Sequence, residues 1–174
     1  MKRNNEKNRK RIVVKFGGSS LADHERILRS VTAVAEEAKK GTQIAVIVSA
    51  MGKTTDTLFH AAKNSSNGKL HKTDLDEILA MGERTSIRII AAALKAQGVN
   101  SRYVDPHDPE WPIITDDLFS DANPILDLCY EHAKQNVLPL VEKSIIPVIA
   151  GFVGRTKDNR VTTLGRGGSD TTAF

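Results

Sequence analysis

Apolar residues along the chain follow two rhythms. Residues 12–16, 44–48 and 145–150 are short runs that are apolar almost throughout, the character of strands in a parallel sheet covered on both faces. Between them the apolar positions recur every three or four residues. Ile27, Leu28, Val31, Val34, Ala35 and Ala38 mark a helix with Asp23 as its N-cap and Gly41 as its stop. Thr54, Thr55 and Asp56 open a short second helix, and residues 64–72, polar and rich in Ser and Asn, read as a surface loop. Thr73 with Asp76 three residues later forms a weak capping box. Leu75, Ile78, Leu79, Gly82, Ser86, Ile89, Ile90 and Ala93 then trace one stripe of a long helix. Glu83 falls on the covered side of that helix, where a carboxylate needs a partner.

Residues 103–117 contain three prolines, Trp111 and five acidic residues, and predict irregular chain with at most one short strand. Asn123 before Pro124 reads as a helix start, with Ile125, Leu126, Cys129, Ala133 and Val137 as the buried face and Pro139 breaking or restarting the helix. Pro147 is tolerable near the start of its strand or at a sheet edge. Residues 152–164 read as a hairpin turning at 157–160. Strands alternating with helices, without repeat or linker, predict a mainly parallel, three-layer α/β sandwich. Ligands of such sheets bind beyond the carboxyl ends of the strands, so the turns after Phe16, Val48 and Ala150 are expected to share one rim.

Charge and composition change this picture little. The net charge of +4 is concentrated in residues 1–11, where six basic residues face one acidic residue; that local +5 leaves −1 on the rest. With no aromatic interleaving and no periodicity, the arm is expected to be a disordered basic tail rather than a nucleic-acid-binding element. No apolar run approaches the roughly 20 residues that span a bilayer, and the start is too charged for a signal peptide. The expected location is the cytoplasm, with which a single cysteine, Cys129, is consistent.

Candidate chemistry gathers at residues 164–172, LGRGGSDTT. Three glycines in four positions suit close backbone approach or positive φ, Ser169 or Asp170 offers a helix cap, and Arg166 offers a fork for a carboxylate or phosphate. A hairpin return with a solvated arginine is the competing reading. Lys15, late in the first strand and followed by Gly17 and Gly18, either snorkels to the sheet edge or turns its ammonium to the rim, where glycine N–H groups and a cation suit phosphoryl oxygens. SAMGKTT mimics the end of a P-loop, but Ile47 stands where the required glycine belongs. Neither KFGGSS nor GRGGSD has dinucleotide-fingerprint spacing, and no HExxH or CxxC pair points to a metal.

The blocks VVKFGGSS, VSAMGKTTD, MGERTS, IPVIAGFVG and TTLGRGGSDTTA, in that order across residues 12–174, together resemble the aspartokinases of the amino acid kinase family. The resemblance implies the carbamate kinase-like fold of that family and transfer of the γ-phosphoryl of ATP, with Mg2+ carried on the nucleotide, to the side-chain carboxylate of L-aspartate. This is the first step toward lysine, threonine and methionine. By matching motif, Lys15, Gly17, Gly18 and Ser19 would face the phosphoryl groups. Ser49, Thr55 and Ser169 would contact aspartate, Glu83 would hold its ammonium, and Arg166 with Gly167 would clamp its α-carboxylate. Phe152 would line the pocket, and Asp170 would position Lys15. Physical chemistry agrees: a carboxylate with a pKa of about 4 needs no general base, so positioning and charge neutralisation carry the catalysis.

Members of that family continue with nucleotide-binding strands and sensory domains, so the chain is expected to be an incomplete fold: the amino-terminal, aspartate-binding lobe, as a fragment or a truncated reading frame. Alone it is expected to be inactive, and homodimerisation through its helices is implied by the resemblance. Another carboxylate or carbamate kinase of the same fold and a non-catalytic binding module remain the rival readings.

Overall fold

The computed structural model describes residues 9–165 and 167–174. Residues 1–8 of the expected tail and Arg166, the expected carboxylate clamp, lie outside the described residues, whereas Arg11, assigned to the tail, is the first residue of a strand. The first two apolar runs form β1 (Arg11–Phe16) and β2 (Gln43–Val48), joined by a 3-10 turn (Gly18–Leu21) and α1 (His24–Lys39). Asp23 caps α1 as expected, its carboxylate accepting from the Arg26 N–H at 2.8 Å, and Gly41 turns the chain at φ 91°. Next come α2 (Thr54–Ser65), α3 (Lys72–Ala96) and β3 (Ser101–Val104). A long irregular stretch leads to α4 (Leu126–His132), a π turn (Ala133–Val137), α5 (Leu138–Glu142) and β4 (Ile146–Ala150). The hairpin β5 (Val153–Arg155) and β6 (Val161–Thr163) then delivers the chain to α6 (Gly168–Ala173).

Four strands pair in the order β1-β2-β4-β3, every pair parallel. The α1 and α3 helices pack together on one face, and the α4–α5 segment covers the other. All six β2 residues are buried, which explains the uninterrupted apolar run from Ile44 to Val48. The β1 strand is an edge among the described residues and alternates instead, leaving Val13 55% exposed. Pro147 occupies the second position of the central strand β4, ahead of the β2 ladder that begins at Val148. No described helix is long and apolar enough to cross a membrane.

Four local expectations are corrected. The α3 helix has His71 at its N-cap with no side-chain bond, so Thr73 and Asp76 form no capping box; Asp76 is wholly buried and bonded elsewhere. On the same helix Ile87 is buried while Ile89 is 39% exposed, because the covered stripe runs through Glu83, Ile87, Ile90 and Leu94 and leaves Ile89 off it. Asn123 does not start a helix. Its N–H and Nδ2 both donate to Asp116 at 2.9 Å, and Pro124 bridges to Thr115, so the pair closes a loop and α4 begins at Leu126. Leu126 itself is 72% exposed. Pro139 does restart the helix: a residue without an N–H cannot close an ordinary turn, and the chain widens into the π turn before it.

Candidate functional site

The turns after β1, β2 and β4 meet at one end of the sheet. The Ser49 N–H donates to Phe16 C=O at 3.0 Å, Gly151 N–H to Val48 C=O at 2.8 Å, and Gly52 N–H to Gly18 C=O at 3.1 Å. Glycine is required for this approach, since a Cβ on Gly18 would stand 2.9 Å from the Ala50 carbonyl oxygen. The turns enclose a cleft of about 390 Å³, lined among others by Lys15, Ser49, Thr55, Glu83 and Phe152.

The fourth wall comes from the far end of the chain. Gly167 adopts φ 80° at the N-cap of α6, so neither Ser169 nor Asp170 caps the helix, as the sequence had suggested. Both side chains face the cleft instead. Ser49 Oγ donates to Ser169 Oγ at 3.0 Å, and Lys15 Nζ donates to Asp170 Oδ1 at 2.6 Å. Lys15 therefore turns to the rim, with its side chain 30% exposed. Phe152 is held in the left-handed region at φ 65°, a conformation that costs a non-glycine residue roughly 1 kcal/mol or more. Its ring packs against Gly168, where a Cβ would come within 3.1 Å of Phe152 Cδ2 and 2.7 Å of Leu164 Cβ.

Glu83 is the buried anion of the cleft, 3% exposed. Its Oε1 accepts from the Ala50 N–H at 3.1 Å, while Oε2 has no partner among the described residues. Burial, the largest influence, pushes its carboxyl up to about 7, against the lowering effect of the Ala50 N–H. Gly82 makes this geometry possible, since a Cβ there would meet Ala50 Cβ at 2.9 Å. The next residue of the motif has a different task. Arg84 and Arg88 reach Asp105 on the outside of α3 at 2.9 and 2.8 Å, and they outweigh the raising effect of burial to leave that carboxyl near about 2.

The structure thus brings Lys15, Gly17, Gly18, Ser49, Thr55, Glu83, Phe152, Gly167, Ser169 and Asp170 to one cleft. Ser19 is not among the lining residues; it is exposed on the 3-10 turn, its carbonyl accepting from Arg26 at 2.8 Å. Among the described residues no cluster of three His, Cys, Asp or Glu could hold a metal ion. Cys129 is half-buried, its Sγ between the N–H and C=O of Ile114, and burial raises its pKa, so it is a packing thiol. Sequence reasoning missed Gly82 and Asp76, whose value depends on contacts with chain far away.

Residues 10–174 match the amino acid kinase family. The aspartokinase of Geobacillus stearothermophilus is 39% identical over 162 residues, covering 93% of this chain and 38% of the relative. Aspartokinase 2 of Bacillus subtilis is 40% identical over 163 residues, with the same shares covered. The fold superimposes with a TM-score of 0.82 on E. coli aspartokinase III solved in complex with aspartate and ADP, at 24% identity, over 93% of this chain and 45% of that one. The chain therefore spans less than half the length of these relatives.

Proposed function

Since this chain belongs to the amino acid kinase family, we propose that it carries the amino-acid side of an aspartate kinase: ATP-dependent phosphorylation of the side-chain carboxylate of L-aspartate to 4-phospho-L-aspartate, the first step toward lysine, threonine and methionine. One observation carries the reading. A buried carboxylate with one oxygen unpartnered among the described residues shares a small cleft with the Lys15 ammonium. Aspartate offers an ammonium for the first and a reacting carboxylate for the region of the second.

In this arrangement Glu83 takes the substrate ammonium, which restores the charge that burial suppresses. Ser49, Thr55 and Ser169 present hydroxyls around the aspartate, Phe152 closes the pocket wall, and Arg166 with Gly167 receives the α-carboxylate. Lys15 and the Gly17–Gly18 backbone face the phosphoryl group, with Asp170 orienting the ammonium. The aspartate oxygen forms a bond to the γ-phosphorus as the bond to the β–γ bridging oxygen breaks, and ADP leaves with that electron pair. No proton has to be removed from the nucleophile. The obstacle is repulsion between two anions, which Lys15 and the magnesium ion carried on the nucleotide reduce. Glu83 favours an amino acid over a substrate without an ammonium, such as carbamate.

The test is a titration of the 174-residue chain with aspartate and with N-acetylaspartate. Glu83→Gln is expected to weaken aspartate about 10- to 100-fold and to leave the weak N-acetyl complex unchanged, as loss of a buried charge-assisted pair requires. Equal loss for both ligands would count against aspartate. Sedimentation would test whether the chain pairs as a homodimer.

A further inference from the structure

The carboxylate of Asp76 is 0% exposed and accepts four hydrogen bonds from two distant segments. Thr163, the last residue of β6, donates its N–H to Oδ2 at 3.0 Å and its hydroxyl to Oδ1 at 2.7 Å. Ser120 donates its N–H to Oδ2 at 2.9 Å and its hydroxyl to Oδ1 at 3.1 Å. Ser120 sits at φ 72°, a conformation that needs support from its surroundings. The two segments then brace one another. Ala122 N–H donates to Thr163 C=O at 3.0 Å, and Asp121 lies so close to Gly165 that a Cβ there would meet its carboxylate.

Thr163 is two residues ahead of Gly165, where the loop of the fourth cleft wall begins. Asp76 is seven residues ahead of Glu83 on the same helix, two turns or about 10 Å along its axis. The helix therefore anchors the loop at one point and presents the cleft carboxylate at another. Beyond Thr163 the chain is held by Leu164 N–H to Phe152 C=O at 2.8 Å, and then by Ser169 and Asp170 at the cleft.

We infer that Asp76 is a positioning residue of the cleft: by clamping Thr163 and Ser120 to α3, it sets the distance between Glu83 and the loop carrying Gly167, Ser169 and Asp170. The inference deepens the proposed aspartate site and rests on that reading for its effect on ligand. Its structural content does not depend on the ligand.

Amide hydrogen exchange on the 174-residue chain separates the two. In Asp76→Asn, protection at Leu164, Gly168 and Asp170 is expected to fall about ten-fold more than at Ile87 and Ile90, because local opening exceeds any loss of global stability. Thr163→Val should give the same pattern more weakly, and Thr163→Ser, which retains the hydroxyl, should match the wild type. The aspartate Kd should rise with the exposure of the loop. A uniform fall across core and loop, or no fall at the loop, would overturn the inference. If Asp76→Asn does not fold, Thr163→Val against Thr163→Ser decides by the same criterion. If the wild type binds no aspartate while the exchange pattern appears, the substrate reading fails and the positioning role stands.

Discussion

Asp76 and Glu83 lie on one face of one helix, both acidic and both nearly inaccessible to water, yet their surroundings are opposite. Four donors saturate the first. The second, which lines the cleft, has one backbone donor and one oxygen without a partner among the described residues. A buried carboxylate is tolerable when its desolvation is offset by hydrogen bonds, and a folded chain has no structural reason to leave one half-satisfied. The difference separates a carboxylate that holds the molecule together from one that waits for a charge brought from outside.

The largest expected effect breaks the saturated end. Measured below pH 4.5, where the Glu83 carboxyl is protonated, Asp76→Ala strands two backbone N–H groups and two hydroxyls in the interior and should cost about 4 kcal/mol in denaturant melts, whereas Glu83→Gln should stay within about 1 kcal/mol. Equal costs would erase the contrast.

A pH series sharpens it. With its carboxyl at about 7 in the folded chain against an ordinary 4.5, Glu83 holds a proton that the unfolded chain releases between those values. Its contribution to stability is complete below pH 4.5 and lost as pH rises to 7, an upper limit of about 3 kcal/mol. The difference in stability between wild type and Glu83→Gln should follow that slope. Aspartate binding should run the other way, tightening about ten-fold from pH 6 to 8 as Glu83 ionises.

Gly82→Ala places a Cβ against Ala50 and should cost about 2 kcal/mol through overpacking, with loss of the Ala50 N–H bond visible as a shift of the Glu83 titration in NMR. Smallest of all, Leu126→Gln, on the exposed side of α4, should change stability by no more than about 0.5 kcal/mol.

Hydrophobic rhythm located β1, β2, β4 and α1, because burial of a strand on both faces or of one helical stripe is imposed residue by residue along the chain, and the polar turn at 157–160 located the hairpin. It failed where a residue's role depends on another segment. Asn123–Pro124 has the local chemistry of a helix start, but Asp116 supplies better partners for its N–H groups, so the pair closes a loop. Thr73 and Asp76 have capping-box spacing, but Thr163 and Ser120 offer Asp76 four donors where a cap offers one or two.

The site divides in the same way. The glycine turns, the inward face of Glu83 and the position of Lys15 late in β1 were legible in the amino-acid order, since each follows from periodicity or from the main-chain freedom of glycine. No periodicity or spacing along the chain showed that Lys15 meets Asp170, 155 positions away, that Ser49 meets Ser169, or that Glu83 Oε2 is left without a partner among the described residues. Local sequence specifies which conformations a segment can adopt. Whether a polar atom is satisfied depends on the donors brought from elsewhere, and those are assigned when the sheet, α3 and the hairpin pack.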